Sequence, residues 1–178
     1  MQKYLNLPIG MIKILFVCHG NICRSPMAEF VMKKLVQDLH DFKAPLTADD
    51  FEIASAATST EEIGNPVYPP ARRMLARHGI DCSGKTARQM TVADYNHYDY
   101  IVLMDQNNLR NLRWILPRDI YERETGANNL EPRKVSLLMN WAGKSRDVAD
   151  PWYTGDFEAT WRDVNEGCKA MLNAICKL

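Results

Sequence analysis

A cysteine, an arginine and a serine near the start of the chain have a spacing that suits phosphate chemistry. Cys18 directly follows the apolar run at residues 14–17, and Arg24 and Ser25 come after five intervening residues. A strand that ends at a cysteine and then opens a helix directs backbone N–H groups, and the positive end of the helix dipole, into one concavity. The pattern therefore predicts an anion-binding loop with a nucleophile at its mouth.

Each residue type in this loop suggests one part of a phosphoryl transfer. Cys18 can attack phosphorus in line and form a cysteinyl-phosphate, provided that the loop favours its thiolate. Arg24 offers a planar, charged fork that matches two phosphoryl oxygens. Ser25 can donate its hydroxyl to the thiolate, Gly20 is expected to permit an unusual backbone geometry, and Asn21 tolerates left-handed dihedrals while its amide ties the loop together.

Two other interpretations of the same cysteine are possible. A cysteine that ends a buried strand is often a small core residue, but the neighbouring arginine and serine favour chemistry. A zinc site would use Cys18, His19 and Cys23, yet no second ligand pair follows at the spacing typical of zinc fingers. The spacing therefore does not favour a zinc site.

Asp150 is the candidate acid, because a leaving oxygen needs a proton and an attacking water must lose one. Pro151 restrains its backbone, and Trp152 and Tyr153 supply an apolar wall that can hold an aromatic ring. A phosphotyrosine would reach down such a pocket, whereas a phosphoserine would be too short. From the local sequence alone, an Asp-Pro turn before the last helix explains these residues equally well.

The elements that must position these residues alternate between strand and helix, as is typical of a parallel α/β sheet. Strands are predicted at residues 11–17, 51–54, 98–104 and 134–138. Helices are predicted to begin at Pro26, with Ser25 as the cap, and at residues 71, 106 and 157. A polar connector at 43–50 and a long loop at 55–70 are expected to join them.

The composition fits one compact domain. A chain of 178 residues that is 46% hydrophobic can bury a full core but is too short for two ordinary domains. Lys+Arg and Asp+Glu are equal at 22 each, which argues against nucleic-acid or membrane binding. Five unevenly spaced cysteines, without a convincing signal peptide or membrane span, predict a reduced, cytoplasmic protein.

Residues 18–26 read Cys-His-Gly-Asn-Ile-Cys-Arg-Ser-Pro, and Asp150-Pro151 follows much later. With the segments at 55–59, 63–66, 87–89 and 104–105, these motifs resemble the low-molecular-weight protein tyrosine phosphatase family. The resemblance implies one α/β phosphatase domain over residues 1–178, with 1–10 as an N-terminal extension. It also implies a four-stranded parallel twisted sheet with helices on both faces, and a phosphate-binding loop after strand one.

The same resemblance implies roles for individual residues. Cys18, Arg24 and Asp150 would hydrolyse phosphotyrosine monoesters through a cysteinyl-phosphate, with Asp150 as general acid and then base. The resemblance also implies that this mechanism uses no metal and no cofactor. The loop and its support would comprise His19, Gly20, Asn21, Ile22, Cys23 and Ser25, with Cys23 also a redox partner of Cys18. The pocket wall would comprise Glu61, Trp152 and Tyr153. The expected partners are a phosphotyrosine-containing protein or peptide and an oxyanion, and the expected state is a monomer or weak dimer.

Several departures and rivals affect the choice of substrate. His19, Glu61 and Lys85 differ from the commoner family pattern, which leaves the substrate preference and the loop support open. Thioredoxin-coupled arsenate reductases share the fold but need further cysteines after the third strand, and residues 104–130 contain none. Arginine phosphatases of this family tend to carry threonine at the position of Ile22, so the bulkier side chain favours tyrosine. A phosphate-sensing module without catalysis would lack the nucleophile or the acid.

Overall fold

The computed structural model describes residues 10–39, 46–126 and 133–176. Within these ranges, strands and helices alternate along the chain. The strands are β1 (Ile12–Cys18), β2 (Phe51–Ala57), β3 (Tyr100–Leu103) and β4 (Val135–Leu137). The helices are α1 (Arg24–Gln37), α2 (Pro69–Arg77), α3 (Val92–His97), α4 (Gln106–Asn111), α5 (Arg118–Thr125), α6 (Leu138–Trp141), α7 (Pro151–Thr154) and α8 (Phe157–Cys176). Single 3₁₀ turns lie at Ala48–Asp50 and Leu112–Trp114.

The strands form one sheet in the order β2-β1-β3-β4, and every pairing is parallel. Cys18 pairs with Ala57 at the end of β2, and Val17 pairs with Leu103 at the end of β3. The carboxyl ends of the three strands therefore meet at one edge of the sheet. Because the chain passes from β2 on one side of β1 to β3 on the other, this edge is the switch point where open α/β sheets bind ligands.

Both faces of the sheet are covered by helices, because successive side chains of β1 point to opposite faces. Phe16 packs with Met27 of α1 and Met171 of α8 in one buried cluster. Val17 lies in a second cluster with Leu112, on the other face. The predicted four-stranded parallel α/β architecture is thus confirmed.

Some element boundaries differ from the sequence-based predictions. Strand β2 continues to Ala57, so its last residues reach the edge where Cys18 lies, and the long loop begins later than predicted. Helices α3, α5, α6 and α7 were not predicted, although Thr91 and Asp94 form a capping box that marks the start of α3 in the sequence. Residues 1–9 and 40–45, which carry most of the predicted N-terminal extension and part of the connector, lie outside the described residues. No helix in the described part of the chain is long and apolar enough to span a membrane.

Candidate active site

The loop between β1 and α1 turns sharply at Asn21, whose φ of +58° lies in the left-handed region as expected. Its backbone N–H donates to the Cys18 Sγ at 3.3 Å, so the loop closes over the sulfur atom. Gly20 was expected to supply an unusual φ, but it is not among the glycines with positive φ. A Cβ atom at this position would lie 3.3 Å from Glu62 Cγ, so a larger residue would require the Glu62 side chain to shift by a few tenths of an ångström.

Ser25 is not the cap of the first helix, which corrects the sequence-based prediction. Helix α1 begins at Arg24, two residues before the predicted start at Pro26, and Cys23 is its N-cap. The Ser25 hydroxyl instead lies 3.0 Å from the Cys18 Sγ and 3.3 Å from the Ala56 carbonyl oxygen. Ser25 is fully buried, so its hydroxyl faces the sulfur atom from behind the loop rather than from the pocket.

Arg24 lies at the bottom of the pocket and is 3% exposed. Its Nη1 contacts Asp105 Oδ2 at 2.7 Å and its Nη2 contacts Asp150 Oδ2 at 2.9 Å. Burial opposes the guanidinium charge, but Cys18, Asp105 and Asp150 together raise the pKa of Arg24 above its ordinary value. Asp105 was missed as a site residue, although an aspartate after a buried strand and before a helix is a recognisable N-cap signal.

Asp150 caps a short helix and also faces the pocket. Its Oδ1 accepts a hydrogen bond from the Trp152 N–H at 3.1 Å, which caps the short helix α7 as an Asp-Pro turn would. Its other carboxylate oxygen, Oδ2, pairs with Arg24, and the side chain retains 26% exposure. The carboxyl group is therefore held by its own turn while it faces both the arginine and the open pocket.

One pocket brings most of the predicted site residues together. It is lined by Cys18, His19, Gly20, Ile22, Cys23, Arg24, Glu61, Glu62, Asp150, Trp152 and Tyr153. Asn21 and Ser25 lie behind the loop instead, where they contact other loop atoms. Trp152 is 59% exposed and lies 5.5 Å from the ring of Tyr68, which supports it from the side. Glu62 and Tyr68 were not predicted as site residues.

A chain of buried hydrogen bonds supports the loop from below. The Asn21 amide donates to Ser25 Oγ at 2.9 Å and to Ser55 Oγ at 2.8 Å, while its Oδ1 accepts from the Arg88 N–H. Ser55 Oγ in turn lies 2.5 Å from Glu29 Oε2. Because a carboxylate can only accept, Ser55 must donate to Glu29, and both amide hydrogens of Asn21 are then used. The hydroxyl proton of Ser25 then has two acceptors within reach, the Cys18 sulfur at 3.0 Å and the Ala56 carbonyl oxygen at 3.3 Å.

Lys85 anchors the far end of this network. Its ammonium group lies 3.1 Å from Glu29 Oε2 and donates to the Ser55 carbonyl oxygen at 3.0 Å. Burial lowers the pKa of Lys85, and the neighbouring carboxylate of Glu29 partly offsets this. Lys33 pairs with the other oxygen of Glu29 at 2.6 Å. Each carboxylate oxygen of Glu29 therefore faces an ammonium group, and Oε2 also accepts the hydrogen bond from the Ser55 hydroxyl. Neither Glu29 nor this use of Ser55 was predicted.

The cysteines of the site are free thiols in different surroundings. Cys18 and Cys23 are both buried beside the pocket. Burial, followed by the neighbouring Cys18 and Asp150, raises the pKa of Cys23 to about 12. Cys23 is therefore a protonated thiol at neutral pH. Among the described residues, no group of three or more His, Cys, Asp or Glu side chains is arranged to hold a metal ion.

The sequence of this chain is similar to those of known proteins over most of its length. Residues 13–178 match the family model described as low molecular weight phosphotyrosine protein phosphatase. A phosphatase of that name from Rattus norvegicus is 38% identical over 167 residues, covering 92% of this chain and 96% of the relative. The low molecular weight protein-tyrosine-phosphatase YfkJ of Bacillus subtilis is 36% identical over 169 residues, covering 94% and 97%.

Solved structures show the same likeness. The crystal structure of YfkJ from Bacillus subtilis aligns with a TM-score of 0.79 at 34% identity, covering 94% of this chain and 96% of that chain. A drosophila arginine phosphatase aligns with a TM-score of 0.74 at 27% identity, covering 92% and 97%. The fold is therefore common to neighbours whose names specify two different phosphorylated residues.

Proposed function

Because the chain belongs to the low molecular weight phosphotyrosine protein phosphatase family, we propose that it hydrolyses phosphotyrosine in proteins or peptides through a cysteinyl-phosphate intermediate. The observation that carries this proposal is the meeting of Cys18, Arg24 and Asp150 in one pocket. A nucleophile, a fork for phosphoryl oxygens and a carboxyl group for proton transfer are the parts that the reaction needs.

In the first step, the Cys18 thiolate attacks phosphorus and the bond to the tyrosine oxygen breaks. Arg24 turns its fork from the carboxylates toward the phosphoryl oxygens, where backbone N–H groups of the loop also donate. Asp150 acts in this step as the carboxylic acid and transfers its proton to the leaving phenolate, so that neutral tyrosine departs.

In the second step, a water molecule attacks the cysteinyl-phosphate. Asp150, now a carboxylate, takes the proton of this water, and the bond between phosphorus and sulfur breaks. The Ser25 hydroxyl, 3.0 Å from the sulfur, stabilises the departing thiolate. Inorganic phosphate leaves, and Cys18 and Asp150 return to their starting states.

Phosphotyrosine is favoured as the substrate by the walls of the pocket. Trp152 and Tyr153 present exposed rings on one side, and Ile22 supplies an aliphatic surface beside the nucleophile. An aromatic ring gains about 0.5 to 1.5 kcal/mol from such stacking beyond the burial of its area. Phosphoarginine is the second candidate, because one structural neighbour is an arginine phosphatase.

A substrate panel tests the proposal. Purified protein is assayed on phosphotyrosine, phosphoserine and phosphoarginine peptides, and on arsenate with thioredoxin. We expect hydrolysis of the phosphotyrosine peptide, and a phosphate label on Cys18 when the enzyme is denatured rapidly during turnover. The Cys18→Ser variant should retain the fold, as measured by circular dichroism, and lose turnover. Substantial turnover by Cys18→Ser would refute the covalent intermediate. Faster hydrolysis of the phosphoarginine peptide than of the phosphotyrosine peptide would identify phosphoarginine as the preferred substrate.

We also propose that Cys23 protects Cys18 from irreversible oxidation. Peroxide converts the Cys18 thiolate to a sulfenic acid and releases water or hydroxide. The Cys23 thiol then attacks the sulfenic sulfur, expelling water and leaving a Cys18–Cys23 disulfide. Burial raises the pKa of Cys23 to about 12, so this thiol is itself a poor target for peroxide, which reacts with thiolates.

Mass spectrometry after mild peroxide treatment tests this second role. The parent protein should contain the disulfide and regain its activity on thiol reduction, whereas Cys23→Ser should accumulate sulfinic acid at Cys18. Cys82→Ser is the matched control, because Cys82 is buried outside the pocket. Equal recovery in Cys23→Ser would refute the protective role. The single domain with an N-terminal extension, the cytoplasmic location and the monomer or weak dimer stay predictions from the sequence.

A further inference from the structure

The mouth of the pocket has two unlike walls. Trp152 and Tyr153 form the aromatic wall and are 59% and 85% exposed. Glu61 and Glu62 form the opposite wall, on the loop after β2. Among the described residues that line the pocket, the basic side chains are Arg24, which lies at the bottom, and His19. An anion-binding pocket therefore opens through a mouth that carries two carboxylates.

These carboxylates disfavour a substrate that carries only negative charge. A carboxylate at the entrance repels a phosphate group, and the repulsion is partly screened by solvent. The chain has no net charge, so the negative mouth is a local feature and not a consequence of an acidic protein. A positive charge on the substrate, close to its phosphorylated residue, would convert this repulsion into attraction.

Glu61 forms an exposed ion pair with His19 that can open, so its carboxylate can bind another cation. Its Oε2 lies 3.0 Å from His19 Nε2, and the two side chains are 68% and 50% exposed. Separate backbone bonds join the two loops, from the Thr58 N–H to the Cys18 carbonyl oxygen and from the Ser59 N–H to the His19 carbonyl oxygen. An exposed pair of this kind contributes little stability. It can therefore open without separating the loops.

Glu62 is held more firmly. Its Oε2 accepts a hydrogen bond from Asn65 Nδ2 at 2.6 Å, and its stem packs against Gly20. It adds a fixed negative charge to the mouth, whereas Glu61 can turn toward a bound peptide. The two neighbouring carboxylates thus differ in freedom, and Glu61 is the one able to form a new ion pair.

We propose that Glu61 selects phosphotyrosine that is flanked by lysine or arginine, by exchanging His19 for the cation of the substrate. The phosphotyrosine ring enters along the aromatic wall, and the flanking residue crosses the opposite side of the mouth. His19 competes for the same carboxylate and so limits the selectivity. This inference rests on the proposed function, because it concerns substrates of the same pocket.

Three phosphotyrosine peptides that differ only in the flanking residues, which are lysine, alanine or glutamate, test the proposal. We expect kcat/KM for the lysine peptide to exceed that for the glutamate peptide by about tenfold, and added salt to reduce this ratio. Glu61→Gln should lower the ratio to about twofold or threefold. His19→Asn should raise it, because Glu61 loses its internal partner. The ratio of kcat/KM between the lysine and glutamate peptides is taken within each variant, so a general loss of activity does not change it.

Glu122→Gln is the matched control. Glu122 is an exposed carboxylate that pairs with Arg118 on α5 and does not line the pocket, so its removal should leave the ratio at the value of the parent protein. A ratio near one in the parent, or a ratio that Glu61→Gln leaves unchanged, would overturn the inference while hydrolysis of the peptides sustains the proposed function. Failure to hydrolyse any of the three peptides would overturn both.

Discussion

The floor of the pocket and its mouth are built in opposite ways. At the floor, Cys18 is 4% exposed and Arg24 is 3% exposed, and each is held by several partners. At the mouth, Trp152 and Tyr153 are mostly exposed, and the Glu61 carboxylate pairs with the exposed side chain of His19. Buried groups with fixed partners maintain one geometry, as phosphoryl transfer requires. Exposed groups can differ between relatives without disturbing that geometry, so they are suited to selecting the substrate.

This contrast predicts that changes at the floor reduce the rate on every substrate, whereas changes at the mouth alter the preference among substrates. The expected loss of activity is largest for a change at Arg24, smaller at Asp150 and then at Glu29, and smallest at Trp152.

Arg24→Lys should cause the largest loss, about a thousandfold in kcat/KM. A lysine ammonium is not a planar fork, so it cannot bind two phosphoryl oxygens together, and it leaves Asp105 and Asp150 without their shared partner. Steady-state kinetics on p-nitrophenyl phosphate and on a phosphotyrosine peptide measure the loss. Similar losses on both substrates would support the prediction that changes at the floor reduce the rate on every substrate. A loss confined to the peptide would contradict it.

Asp150→Ala should lower the rate by about a hundredfold for esters with poor leaving groups. The loss should shrink as the leaving group becomes more acidic, because such a group needs little protonation. A series of aryl phosphates with increasingly acidic phenols measures this dependence. If the loss were the same across the series, Asp150 would be a structural cap of α7 and not the acid.

Glu29→Gln should lower kcat about tenfold, although Glu29 does not line the pocket. A neutral amide can donate as well as accept, so the hydrogen-bond direction through Ser55 and Asn21 to Ser25 is no longer imposed. The rate of alkylation of Cys18 by iodoacetamide at neutral pH should fall with kcat.

Glu124→Gln is the matched control for that change. Glu124 is also 4% exposed, but it bonds Tyr95 and the Val135 N–H on the other face of the sheet. Both substitutions should lower the melting temperature, since each disturbs a buried polar group. Only Glu29→Gln should slow alkylation. Equal alkylation rates in the two variants would mean that Glu29 has a structural role alone.

Trp152→Ala should have the smallest effect, about threefold to fivefold in KM for a phosphotyrosine peptide with little change in kcat. The indole supplies stacking area at the mouth and contacts none of the reacting atoms. Trp114→Ala is the control, because Trp114 is 76% exposed and lies outside the pocket. A large fall in kcat for Trp152→Ala would show that the wall also positions Asp150, through the turn that the two residues share.

Much of the fold and half of the site can be predicted from the sequence because the relevant signals are local. The apolar run of β1, the anion loop and the start of α1 are contiguous, so backbone geometry alone brings Cys18 and Arg24 to one concavity. The alternation of strand and helix likewise requires no knowledge of packing. Short helices such as α6 and α7 were missed because they are single turns whose formation depends on what packs against them.

The amino-acid sequence by itself therefore determined the residues on which the proposed reaction depends: a cysteine, the loop that follows it and an arginine, all within one short segment. Only the tertiary structure decided what supports and surrounds them, because those residues are distant along the chain. Asp105 reaches Arg24 from the end of β3, and Ser55 reaches Asn21 from β2. Their proximity follows from the parallel register, which brings the carboxyl ends of the strands to one edge of the sheet. No local propensity encodes that register, since it depends on how both faces of the sheet are covered.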